Sequence, residues 1–146
     1  MPPRAAGFDY RIGGPCPPAA EGDLDAGLLL RNGGRLDECA AKGYRAVELD
    51  NYDSYSRSEG LLSTADAEEF MRLLSAHAHA AGLAVGQKNA SEPASRKKAT
   101  GVDFAVAEEC GEQDNCAEFT EQFGDDVLVI EYTGEGLASA CAKWGG

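Results

Sequence analysis

Residues 43–53 read GYRAVELDNYD, and their pattern decides the fold. Gly43 ends a helix, the apolar run at 44–49 has the length of a buried strand, and Glu48, Asp50, Asn51 and Asp53 crowd its C-terminal end. The same unit recurs downstream. Ser63 and Asp66 form a capping-box pattern ahead of a helix in which Phe70, Leu73, Leu74, His77 and Ala81 recur at helical spacing, and Gly82 closes it. A second strand at 83–86 then ends in Gln87, Lys88 and Asn89. After a polar link at 91–100, a third strand at 102–107 runs into Glu108 and Glu109. A short helix at about 114–123 leads to a strand at 126–130 that ends in Glu131 and Tyr132, and a last helix covers 137–144. Upstream, residues 8–12 read as a strand stopped by Gly13 and Gly14. In the stretch 24–42, Gly33 and Gly34 interrupt helical spacing, so only its second half is expected to be helix.

Apolar strands alternating with amphipathic helices imply βαβ units and a parallel sheet. Ligands of such sheets bind at the C-terminal strand ends, where this sequence gathers its polar residues.

With 146 residues the chain suits one domain that can bury about two thirds of its unfolded surface. A hydrophobic share of 43% and a charged share of 26% are those of a globular protein. The net charge of −12 repels phosphate backbones and anionic headgroups, which argues against nucleic acid and membrane surfaces as partners and would attract a cationic polymer. No apolar run approaches the roughly 20 residues of a membrane span, and residues 1–7 lack the apolar core of a signal peptide. Five cysteines without a CxxC pair suit a short disulfide loop between Cys110 and Cys116 better than a zinc site, and the odd count leaves at least one thiol over. No metal or other cofactor is expected.

Strand alternation turns Glu48 and Asp50 to one side, while Val47 and Leu49 face the helices. An inward carboxylate on a buried strand is costly unless used or paired, so Asp50 is read as functional, whereas Asp53 is read as capping the following turn. Glu108 follows an apolar strand directly. Paired carboxylates across a cleft are what glycoside hydrolysis requires, one to protonate the leaving oxygen and one to attack the anomeric carbon or activate water. An ion pair with Lys88 is the structural reading of Glu108, and the two are compatible. Apolar neighbours and Glu109 are expected to raise the pKa of Glu108, which makes it the better general acid. The donors of Gln87, Lys88 and Asn89 suit sugar hydroxyls or a carboxylate, and Tyr132 offers a stacking face. His77 lies on the apolar stripe and is expected to be packed, with His79 at the surface. The motifs of serine hydrolases, P-loop proteins and dinucleotide enzymes are missing from the sequence.

In this order, FDYRIGG (8–14), GYRAVELDNYDSY (43–55), AHAAGLAVGQKN (78–89), VDFAVAEECGEQDNC (102–116) and IEYTGEG (130–136) resemble glycoside hydrolase family 114, the endo-α-1,4-polygalactosaminidases with a TIM-barrel fold. The resemblance implies hydrolysis of α-1,4-linked galactosamine polymers, with Asp50 and Glu108 as catalytic carboxylates. It places Asp9, Tyr10, Glu48, Asn51, Asp53, Lys88, Asn89, Glu131 and Tyr132 around the substrate. It also implies secretion, which suits a Cys110–Cys116 disulfide.

A complete (β/α)8 barrel takes about 250 residues. The expected architecture is therefore α/β, related to the TIM barrel but incomplete, with about five parallel strands. It forms a single domain over 1–146, internally shortened after residue 14 and truncated at the C-terminus. The alternatives are an inactive remnant that binds carbohydrate, and a small doubly wound domain of flavodoxin-like shape with an acidic metal pocket and strand order 2-1-3-4-5.

Overall fold

The structure, a computed structural model, describes residues 24–50, 52–91 and 97–144, with side chains from Asn32 onward. The strand expected at 8–12 lies outside these residues, as do Asp9, Tyr10, Asn51 and Cys16. The elements in order are α1 (Leu24–Ala41), β1 (Ala46–Leu49), a 3-10 segment (Tyr52–Arg57), α2 (Thr64–Ala80), β2 (Ala84–Lys88), α3 (Lys97–Thr100), β3 (Phe104–Glu108), α4 (Ala117–Phe123), β4 (Val127–Ile130) and α5 (Gly134–Trp144).

The four strands form one parallel sheet in the order β1-β2-β3-β4. Leu49 pairs with Gln87, Lys88 with Val106 and Glu108 with Ile130, so the polar ends of neighbouring strands meet along one rim. Consecutive order without reversal is the winding of a barrel wall. It differs from the 2-1-3-4-5 order of the flavodoxin-like alternative, whose strand sequence reverses at a switch point.

Helices cover one side of the sheet through an apolar layer. Val47, Leu49, Val85, Ala105 and Ala107 pack with Leu36 and Cys39 of α1, Met71, Leu74 and Ala78 of α2, and Phe119 and Phe123 of α4. Val47 and Leu49 are buried while Ala46 and Glu48 are half-buried, as strand alternation requires. At the start of α2, the Ser63 side chain accepts from the Asp66 N–H and the Asp66 carboxylate accepts from the Ser63 N–H. This reciprocal cap satisfies two N–H groups that the helix itself leaves without partners.

Two helices differ from their sequence reading. α1 runs unbroken through Gly33 and Gly34. Each glycine costs about 1 kcal/mol in a helix, but Gly33 is buried against the His77 ring, where an added Cβ would stand 3.3 Å from Cε1. The close approach of α1 and α2 thus uses the residue that local propensity disfavours. On α2 the buried stripe is Met71, Leu74, Ser75 and Ala78, one step round from the stripe read through Phe70, Leu73 and His77. His77 is exposed and joins Asp37 of α1 at 2.8 Å rather than packing in the core, while His79, at the surface, joins Asp103 at 2.8 Å. α2 contacts α1, α3, β2 and the 3-10 segment, and no single-face pattern can represent so many neighbours.

At β4 the covering thins out: Leu128 is 58% exposed, and Val129 and Ile130 are also exposed. β1 and β4 are the outer strands of the described sheet. No helix among the described residues is long and apolar enough to cross a membrane.

Candidate active site

Each of the first three strands hands a polar side chain to the same rim. β1 ends at Leu49 with Asp50 directly after it, β2 ends on Lys88 followed by Asn89, and β3 ends on Glu108. The Lys88 ammonium lies 3.2 Å from Asp50 Oδ2 and 3.1 Å from Glu108 Oε2, bridging the two carboxylates. These side chains are 28% exposed for Asp50, 15% for Lys88 and 18% for Glu108, so the bridge sits in a partly desolvated recess. Asn89 grips Glu108 twice: its Oδ1 accepts the Glu108 N–H at 2.8 Å, and its Nδ2 donates to Oε2 at 3.3 Å. From beyond β4, the Tyr132 hydroxyl donates to Glu108 Oε1.

These contacts reverse the expected ionisation of Glu108. The Tyr132 hydroxyl, then the Lys88 ammonium and the Asn89 amide, hold its carboxyl below the ordinary value, outweighing the opposite effect of burial. Apolar flanks and Glu109 had suggested the opposite shift, but the side chain reaches past those neighbours to three donors. Burial works to lower the pKa of Lys88, and its bonds to Glu108 and Asp50 overcome this and raise it. Glu108 is therefore favoured as an anion, held by the Lys88 cation.

The backbone beside the strand ends is unusual. Asn89, Ala90 and Glu109 take positive φ values of 48°, 56° and 59°, which side chains bearing a Cβ rarely adopt. Fully buried Gln87 explains the first two, because its Nε2 donates to the carbonyls of Asn89 (2.9 Å) and Ala90 (2.6 Å). Gln87 thus acts on the backbone that aims Asn89. Gly86 precedes it under the Phe104 ring, where a Cβ would come within 2.3 Å of Cε2.

A cavity of about 410 Å³ opens over this rim, in the size range of small-ligand sites. Asp53, Tyr55, Asn89, Glu108, Glu109 and Phe119 line it, with Ser91, Gln113 and Asn115. Asp53 lies in the first turn of the 3-10 segment, where both its carboxylate oxygens meet the Arg57 guanidinium at 2.9 Å and its carbonyl accepts from Ser56 Oγ. Arg57 holds the Asp53 carboxyl below its usual value. The turn-forming role expected of Asp53 is thus joined to a place in the cavity wall. Glu109 follows its strand end, as the sequence placed it, whereas Tyr55, Gln113, Asn115 and Phe119 escape a reading based on strand ends because they lie on loops or helical segments.

Glu131 is not at the cavity. Its Oε1 accepts the Gly111 N–H at 2.6 Å, and Gly136 leaves room for its other oxygen, which a Cβ would approach to 2.3 Å. It ties the loop after β3 to α5. Glu48 is half-buried on β1, and Tyr132 is 61% exposed, with its ring open to a ligand. Cys110 and Cys116 form the disulfide that their spacing suggested, closing the loop that carries Gln113 and Asn115. Cys39 is a buried thiol and Cys141 an exposed one.

Parallel strands wound in consecutive order, as in a barrel wall, thus bring two carboxylates to one lysine at their C-terminal ends, where ligands of such sheets bind. The chain belongs to glycoside-hydrolase family GH114, whose profile it matches over residues 32–146. The crystal structure of Aspergillus fumigatus Ega3 in complex with galactosamine is similar to it, with a TM-score of 0.71 and 27% sequence identity. The match covers 82% of this chain and 53% of that one, so the chain spans about half the length of this neighbour. No curated protein matches the sequence.

Proposed function

We propose that this domain hydrolyses an α-1,4-linked galactosamine-type polysaccharide outside the cell, with Asp50 and Glu108 as its catalytic carboxylates. The observation that carries the reading is the Lys88 bridge, which brings these two carboxylates together beside a cavity of sugar-binding size. Both contacts converge on one nitrogen, so the two carboxylates stand on either side of a single ammonium. One carboxylate protonates the departing oxygen while the other attacks the anomeric carbon or activates water.

Because its donors favour the ionised form of Glu108, a role as general acid requires a bound sugar to displace Tyr132 or Lys88 so that the carboxylate takes up a proton. Asn89 and Lys88 supply donors to hydroxyls, and the exposed Tyr132 ring supplies a stacking face. Glu48, Asp53, Asn51, Asp9 and Tyr10 complete the substrate surface by family resemblance. The galactosamine bound to the structural neighbour and the net charge of −12 both suit a cationic amino-sugar polymer. The Cys110–Cys116 disulfide suits an oxidising, extracellular setting.

The test is release of reducing ends from partly deacetylated galactosaminogalactan. Asp50→Asn and Glu108→Gln should each lower turnover by about a thousandfold or more while the variants remain folded. Equal slow release by wild type and Asp50→Asn would remove the enzymatic reading. Binding without turnover is the second reading, favoured by the exposed apolar residues of β4 beside the site, and affinity for the same polymer in the absence of hydrolysis would establish it.

A further inference from the structure

We infer that Glu109, one residue past the catalytic pair, is the specificity residue that recognises the protonated 2-amino group of the sugar; this rests on the glycosidase reading above. Three carboxylates around the site already have cations. Asp50 and Glu108 share Lys88, and Asp53 is spanned by Arg57. Glu109 lines the same cavity, and its carboxylate has no hydrogen-bonding or ionic partner among the described residues. Among the described residues these four carboxylates thus have two cations between them, and Glu109 is the one left without a counter-charge. An ammonium group, with three donors and no acceptor, is the ligand chemistry that such a group takes.

The backbone gives an independent reason. Glu109 holds a φ of 59°, a conformation in which glycine carries no penalty and glutamate does. Its N–H donates to the Ile130 carbonyl at 2.8 Å, its carbonyl accepts from the Gln113 N–H at 2.9 Å, and disulfide-bonded Cys110 follows it. Both backbone groups are therefore engaged and the residue is held between sheet and disulfide loop. A strained residue that keeps a charged side chain at a cavity wall, where glycine would fit the backbone better, points to use of that side chain. N-acetylation of the sugar would replace the ammonium by a neutral, bulkier amide and remove the attraction, so Glu109 sets preference for deacetylated units.

The experiment compares full-chain wild type, Glu109→Gln and Glu109→Gly on α-1,4-galactosamine oligomers and on the same oligomers N-acetylated. Affinity is measured in the Asp50→Asn background, and hydrolysis in the otherwise native protein. Both Glu109 variants should lose about tenfold or more of the affinity ratio between free-amine and acetylated oligomers, chiefly through weaker free-amine binding. Glu109→Gly should also melt at or above the wild-type temperature, which separates lost recognition from lost folding. Raising the pH through the titration of the sugar amine should erase the wild-type preference and leave that of Glu109→Gln unchanged. An unchanged ratio in Glu109→Gln, or an equal loss for both oligomers, overturns the assignment while leaving the glycosidase reading in place. Preferential binding of the free-amine oligomer by wild type, without turnover, overturns the activity and leaves Glu109 to be judged on affinity. Binding of neither oligomer overturns both.

Discussion

Glu108 receives three donors, and removal of one has a consequence that depends on the role of the carboxylate. Tyr132→Phe deletes the donor with the largest effect in lowering the Glu108 pKa, so that pKa should rise. The pH limb of kcat/KM that Glu108 controls should move to higher pH, with turnover falling about tenfold at the wild-type optimum. If the alkaline limb moves, Glu108 is the acid; if the acidic limb moves, it is the nucleophile or base. The same shift bears on stability with a definite sign. A carboxyl whose folded pKa is depressed stabilises the fold above its unfolded value, about 4.3, and that stability fades as pH falls through the folded value. Tyr132→Phe should therefore reduce the loss of stability between neutral and acid pH, read from denaturant midpoints at each pH. None of this was legible at Glu108 itself. Tyr132 is 24 residues away in sequence, and only the register of β3 against β4 sets it beside the carboxylate.

Among the elements, α2 and the β3–α4 loop make opposite kinds of demand. The α2 start is local chemistry: Ser63→Ala removes an acceptor for the Asp66 N–H and should cost about 1 kcal/mol, seen as a lower denaturant midpoint with an unchanged slope. Its capping box was readable because both partners lie within three residues. The loop after β3 depends on distant neighbours. A Cβ at Gly111 would stand 2.6 Å from the Gly136 carbonyl oxygen and 2.9 Å from the Ala140 nitrogen, backbone atoms of α5 that cannot swing aside. Gly111→Ala should destabilise by about 1–3 kcal/mol, and it should disturb the Glu131 bond to the Gly111 N–H. Calorimetric unfolding of the purified variant checks the first effect. The continuous α1 belongs to the same class, since Gly33 breaks a helical pattern in sequence yet leaves room for the His77 ring of α2 in space.

For the whole molecule, the sheet has one outer strand whose side chains are open. Leu128, Val129 and Ile130 are all exposed on β4, with Leu137 of α5 and Tyr132 nearby in the chain. An exposed apolar outer strand presents unpaired backbone groups and a surface for a second sheet, which favours self-association. Sedimentation of the chain as given should show concentration-dependent association, and Leu128→Lys should shift it towards monomer without lowering the melting temperature. Consecutive strand order makes the described sheet a segment of barrel wall, as the alternation of strands and helices led one to expect. Four strands of the expected set are described, and the one at 8–12 lies outside.

What the amino-acid sequence determined alone is what a few neighbouring residues suffice to impose: strand and helix alternation, the caps, and the placement of polar residues directly after apolar runs. Asp50, Lys88 and Glu108 were legible for that reason, since a charged residue closing a buried strand stands out without reference to any other part of the chain. Tertiary structure alone decided that one lysine serves both carboxylates, that Tyr132 holds Glu108 ionised, that Glu131 serves the scaffold, and that Glu109 lines the cavity with no partner for its carboxylate among the described residues. These depend on which strand ends become neighbours and how far water is excluded between them. Coulombic and hydrogen-bond energies are set by such distances and not by separation along the chain.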